Sequence, residues 1–122
     1  MSEIKTYKDL IVWQKSIALV SDVYKLVRLF PDDEKYGLTS QIKRSSVSVP
    51  SNIAEGYGRS SRRNYIQFLR ISRGSLFELE TQIVIGKKLN FINNSEEVDN
   101  TITEISKMLN SLINKLESVS AN

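Results

Sequence analysis

A chain of 122 residues, 40% hydrophobic and 25% charged, is sized for one domain in which roughly two-thirds of the unfolded surface can be buried. It contains neither cysteine nor histidine. Disulfide frameworks, thiolate metal centres and imidazole chemistry are therefore excluded, and any catalysis would fall to carboxylates, Lys, Tyr or Ser.

The net charge of +3 hides a gradient. Residues 1–33 carry five basic and five acidic side chains, residues 34–90 carry ten and four for a net of +6, and residues 91–122 carry two and five for a net of −3. A partner for the basic middle is expected to be polyanionic. The opening MSEIKTYKDL has no apolar signal core. No window approaches the ~18 apolar residues of a bilayer span, so a soluble cytoplasmic chain with no membrane partner is expected.

Helical periodicity begins with Leu10, Trp13, Ile17, Val20, Tyr24 and Val27, whose alternating three- and four-residue spacing is that of a bundle seam. Pro31 ends this first helix, predicted over 7–30, and Asp32 or Asp33 can cap the second, predicted over 33–58. The second helix carries SSVSVPSNIAEGYGRSSRR, from Ser45 into the following turn. Pro50 removes one backbone donor and clashes with the preceding turn, which predicts a kink or a division of the helix. Ser45, Ser46, Ser48 and Ser51 permit close helix approach and can bond the freed carbonyls. Gly56 or Gly58 would take positive φ at the corner, and Ser60 or Ser61 would cap the next helix. A nucleophilic serine is disfavoured, because no histidine exists to activate it.

The third helix, predicted over 61–90, puts Tyr65, Phe68, Leu76, Leu79 and Ile83 on its core side. At 100° per residue, Arg62, Arg63, Arg70 and Arg73 share one arc of about 100°, joined by Arg59 if the helix extends back. Arg62 and Arg63 fall in the first turn, where the macrodipole disfavours cations by ~0.3–1 kcal/mol each and free N–H groups suit a phosphate. Ile66, Phe77 and Val84, with Ile71 and Ile85, lie off the core arc and point to a self-association surface. The fourth helix, predicted over 95–119, has a second seam of Val98, Ile102, Ile105, Leu109, Leu112 and Leu116. Asn94 can cap it and Glu97 can answer three residues on.

No window alternates like a strand. The expectation is a single all-α domain over residues 1–122, an antiparallel up-and-down four-helix bundle kinked at Pro50 in its second helix. No metal site or cofactor is expected: the acids of ELE, Glu78 to Glu80, lack the histidines of a di-metal bundle, and GYGR lacks the lysine and spacing of a P-loop.

Three blocks, DLIVWQKSIALVSDVYKL, FPDDEKYGLTSQIKRSSVSVPSNIAEGYGRSS and FLRISRGSLFELETQIVIGKKL, resemble successive signatures of the four-helix-bundle proteins encoded in intervening sequences of bacterial 23S rRNA genes. SVPSNIAEGYGR and GSLFELETQ are the most specific matches, and the likeness runs over about residues 8–118. The resemblance implies a bundle that assembles into a ring, expected to be a pentamer. The family is also similar to the accessory variability determinant of diversity-generating retroelements, a basic pentameric bundle that binds nucleic acid and a reverse transcriptase. It therefore implies RNA or DNA as a partner, through Lys43, Arg44, Arg59, Arg62, Arg63, Arg70 and Arg73, while the off-core Ile66, Phe77 and Val84 are the residues expected in the oligomer contact. It brings no catalytic residues, so a non-enzymatic scaffold is expected; the alternative is an oligomeric adaptor that holds a protein such as a reverse transcriptase without touching nucleic acid.

Overall fold

The computed structural model describes residues 3–120 and contains four long helices with no strand among them. These are α1 (Ile11–Val27), α2 (Leu38–Tyr57), α3 (Arg62–Lys88) and α4 (Glu96–Ser120). Cross-helix contacts in opposite sequence order fix the directions: Tyr24 meets Lys43 while Trp13 shares a hollow with Ala54, Ser45 meets Gln82 while Gly56 meets Phe68, and Arg70 meets Glu117 while Lys87 meets Asp99. Lys15 meets Glu104 between α1 and α4. Each helix thus runs antiparallel to its sequence neighbour, and α4 closes against α1 in an up-and-down bundle. The expected domain of residues 1–122 includes Met1, Ser2, Ala121 and Asn122, which lie outside the described residues.

Local chemistry sets the helix ends, and several differ from expectation. The first helix does not start at residue 7. Tyr7–Asp9 form a separate 3-10 turn because Thr6 Oγ1 accepts from the Lys8 N–H at 3.1 Å, while the Asp9 carboxylate takes the N–H groups of Lys5 and Thr6 at 2.9 and 3.1 Å. Those bonds hold the Asp9 carboxyl below its usual range, Lys5 contributing most and Thr6 next. Leu10 is then extended and α1 begins after it.

Asp32 and Asp33 do not cap α2. They sit in a second 3-10 turn, and the side chain that reaches the helix start is Glu34, whose Oε1 accepts from the Leu38 N–H at 3.1 Å. Nor does Asn94 form a capping box with Glu97: Asn94 Oδ1 accepts from Glu96 N–H at 2.9 Å, and Ser95 Oγ donates to Asp99 Oδ2 at 2.8 Å. Ser61 does cap α3, accepting from the Asn64 N–H at 3.1 Å. α3 ends where Asn90 takes φ 63°, with Asn90 N–H on Lys87 O and Phe91 N–H on Gly86 O. That is the paired-bond C-terminal cap of a Schellman motif, and it turns Phe91 onto Phe30, ring centroids 5.5 Å apart.

Pro50 is buried inside α2, which runs unbroken across it. Neither corner glycine takes positive φ. Gly56 is instead a point of close approach: a Cβ there would lie 2.7 Å from Phe68 Cβ and 3.1 Å from the Tyr65 ring. The same α2–α3 contact contains Ser45 Oγ donating to Gln82 Oε1 at 2.7 Å, Ser72 Oγ donating to Val49 O at 2.8 Å, and a Ser48–Ser75 hydroxyl pair at 2.7 Å.

The α1 seam also differs. Its buried residues are Val12, Ser16, Leu19, Val23 and Val27. Of the expected stripe only Val27 is buried, while Ile17 and Tyr24 are 44% and 39% exposed. On α4 the expected seam holds from Val98 to Leu109, after which Ile113 is the buried residue.

The close approach at Gly56 generates the first prediction. Gly56→Ala should lower stability by about 1–3 kcal/mol, the usual range for overpacking. Gly74→Ala should raise it by about 0.5–1 kcal/mol, because nothing lies within 4 Å of the added methyl and helical glycine costs backbone entropy. Urea midpoints at one fixed protein concentration check both, and equal shifts in the same direction would refute the packing account.

Candidate nucleic-acid interface

The seven candidate basic residues occupy three places in the bundle. At the α2–α3 corner, Arg59 Nη2 donates to Glu55 Oε1 at 2.7 Å and its guanidinium lies 4.7 Å from the Phe68 ring centroid. Arg62 and Arg63 follow in the first turn of α3, both exposed and without an ion pair among the described residues. Farther along α3, Arg70 bonds Glu117 and Arg73 Nη1 donates to Asn110 Oδ1 at 2.9 Å, so both lean onto α4. On α2, Lys43 Nζ lies over the Tyr24 ring of α1 at 5.0 Å, and Arg44 next to it is exposed with no ion pair among the described residues.

The arc shared by the α3 arginines is real, but their surroundings differ. Arg70 and Arg73 each commit one donor to α4, and Lys43 lies on the α1 side of α2. The bundle therefore places Arg59, Arg62 and Arg63 at one corner and the other four in separate settings. The pairs at Arg59 and Arg70 are each close to half exposed, so water weakens them and a strong anion can compete for either arginine.

Among the expected interface residues, Ile66 is only 7% exposed and belongs to the core beside Leu69. Its placement off the core arc is therefore not what the bundle shows. Phe77 and Val84 are 46% and 50% exposed. Missed in the sequence was the outer face between α1 and α2, where Ile17, Val20, Tyr24 and Val47 are open or half-open to solvent. Its signal was present as Val47, Ser51 and Ala54, which share the outer side of α2 at helical spacing.

No group of acidic side chains able to hold a metal occurs among the described residues, and no described helix is long and apolar enough to cross a membrane.

An all-α up-and-down bundle with a basic helix corner and two uncovered apolar faces defines the class. The chain belongs to the 23S rRNA-intervening sequence protein family, whose model matches residues 8–111. It is also similar to the crystal structure of a protein with unknown function from the S23 ribosomal protein family of Bacteroides thetaiotaomicron VPI-5482. The TM-score is 0.77 at 28% identity, covering 84% of this chain and 98% of that one. Curated proteins give no match.

The corner also carries a titratable group. Burial, with a smaller contribution from the Tyr57 phenol, pushes Tyr65 from 10.0 up to about 12, and the two rings meet edge to face at 6.0 Å. The folded chain then keeps this proton to higher pH than the unfolded chain, so its stabilising share is intact below about pH 10 and is lost as pH rises toward 12. Urea midpoints followed through that window should fall less for Tyr65→Phe than for wild type; parallel declines would remove Tyr65 as a cause.

Proposed function

We propose that this chain is a non-enzymatic scaffold that assembles with copies of itself and holds the sugar-phosphate backbone of RNA or DNA in the cytoplasm. The observation that carries the reading is the pair Arg62 and Arg63. Both are exposed and without an ion pair among the described residues, in the first turn of a helix whose dipole opposes them. Two cations held there without an internal partner are explained by an external anion, and guanidinium forks match phosphate oxygens. Arg59, across the turn, can swing from the exposed Glu55 to join them. Such a corner contacts backbone and carries little base readout.

Repetition around a ring, five-fold on the family resemblance, would multiply a modest single-site affinity. A second reading, an oligomeric adaptor that grips a protein such as a reverse transcriptase, is favoured by the internal engagement of Arg70 and Arg73 and by the open α1–α2 face.

Salt titration of binding to structured RNA, single-stranded DNA and duplex DNA discriminates the two. The slope of log K against log salt is about −0.9 per neutralised phosphate on duplex and about −0.7 on single strands. Arg62→Ala with Arg63→Ala should flatten it by roughly one to two units while light scattering shows an unchanged assembly. Absence of binding by wild type to all three ligands at low salt would pass the function to the adaptor reading.

A further inference from the structure

The open face between α1 and α2 carries a groove with an apolar floor. Two adjoining hollows of about 290 and 380 Å³ share Ile17 and Val20. The first is continued by Tyr7 and Trp13, whose rings meet edge to face at 5.3 Å, and the second by Tyr24. Trp13 and Tyr24 are eleven residues apart on α1, ~16.5 Å along its axis. Aromatic rings thus stand at both ends of an aliphatic floor.

The charge around that floor has one sign. No carboxylate lines either hollow, whereas Lys25 and Arg28 line the second. On the α2 side, Lys43 Nζ lies 5.0 Å from the Tyr24 ring centroid, and Arg44 follows on the outer surface. None of these four cations makes an ion pair among the described residues. Neighbouring acids are placed elsewhere: Asp22 lines the hollow between α1 and α4, Asp32 and Asp33 belong to the turn beyond α1, and Glu55 is held by Arg59.

An acidic partner helix would answer the charge, but rings beside unpaired cations match a narrower class. A nucleotide joins a flat π face to a phosphate. Proteins that hold unpaired strands combine a positive groove along the phosphates with aromatic side chains under the bases. At the Tyr24 end both parts are present, the ring and the Lys43 ammonium over it. A duplex keeps its base faces stacked inside and can offer such a floor only its backbone.

Extending the backbone-binding reading above, on which it rests, we infer that the α1–α2 groove takes an unpaired nucleic-acid strand. Its bases lie on Tyr24, Trp13 and the aliphatic floor between them, and Lys25, Arg28, Lys43 and Arg44 hold its phosphates. The corner arginines serve any backbone, whereas the groove selects a single-stranded one. The groove reaches Ala54, one turn before the end of α2, so it opens at the same end of the bundle as the corner.

Trp13 is the only tryptophan of the chain, so its emission reports on the floor directly. At low salt an unstructured oligonucleotide, tried as RNA and as DNA, should quench it. A duplex of equal length and an abasic strand with the same phosphates should not. Tyr24→Ala should weaken single-strand binding roughly five- to 140-fold with the salt slope unchanged, the range for one lost stacked base, and Tyr24→Phe should retain it. Lys25→Ala with Arg28→Ala should instead flatten the slope by about 1.4 units, ~0.7 for each phosphate on a single strand.

An equal quench by the abasic strand, no quench by either oligonucleotide although anisotropy shows binding, or a helical Tyr24→Ala chain that binds as wild type does overturns the groove and leaves the corner reading standing. If Tyr24→Ala loses its helical signal by circular dichroism, the quench of the unaltered chain decides. A wild type that binds no strand at low salt sinks the corner reading and this one together, and the open face then passes to an acidic helix of a partner protein.

Discussion

The approach of α2 to α3 is possible because the residues between the two helices are among the smallest available. Ser45 and Ser46 are buried on α2, Ser72 on α3, and Gly56 faces Phe68 where no β-carbon fits. Each serine brings a hydroxyl into a region without water, and a buried hydroxyl without a partner would be destabilising. The hydroxyls are satisfied locally and across the gap: Ser46 returns to Lys43 O, Ser45 reaches Gln82, and Ser72 reaches Val49 O. Ser72 thus adds a bond to the turn that holds Pro50, whose missing N–H weakens the ladder just there. With this pair fixed, α1 and α4 complete the square, and the outer sides of α1, α2 and α3 are determined.

How much of this could be read from the sequence depended on whether the buried seam was also the most apolar one. On α4 it is, and the stripe through Ile102, Ile105 and Leu109 coincides with the buried residues. On α1 it is not. The true seam contains Ser16, fully buried because its Oγ donates to Val12 O at 2.7 Å within the same helix. A back-bonded serine is cheap to bury next to another helix, yet it scores as polar, and the neighbouring row of Trp13, Ile17, Val20 and Tyr24 is the more hydrophobic of the two. The middle of the stripe, Ile17, Val20 and Tyr24, borders the open face, while Leu10, Trp13 and Val27 at its ends pack on the core. Helix ends were less legible for a related reason. Glu34 reaches forward to Leu38 and Asp9 back to Lys5 and Thr6, and a sequence offers several acids of equal merit at each site.

The candidate basic site was half legible. Angular placement along α3 correctly set Arg62, Arg63, Arg70 and Arg73 on one side, because helix geometry fixes angles. It could not say which arginines would find partners, since Glu117 and Asn110 lie 47 and 37 residues away. Ile66 shows the converse limit. Its angle is that of Val84, but Ile66 is buried and Val84 is half exposed; burial depends on how helices cross as well as on which face a residue occupies.

The charge gradient along the chain acquires its meaning in the bundle. The acidic α4 lies between α1 and α3, and Glu104, Glu117 and Asp99 each take a cation from a neighbour, namely Lys15, Arg70 and Lys87. All three pairs are more than a third exposed, so each adds little to stability. Their larger effect is on the field. These pairs offset cations of α1 and α3 against acids of α4, while Arg62 and Arg63 at the α2–α3 corner and Lys25 and Arg28 along the α1–α2 groove keep no ion pair among the described residues. At the corner Arg62 and Arg63 meet solvent beside the Arg59–Glu55 pair, whereas along the groove Lys25 and Arg28 border an apolar floor.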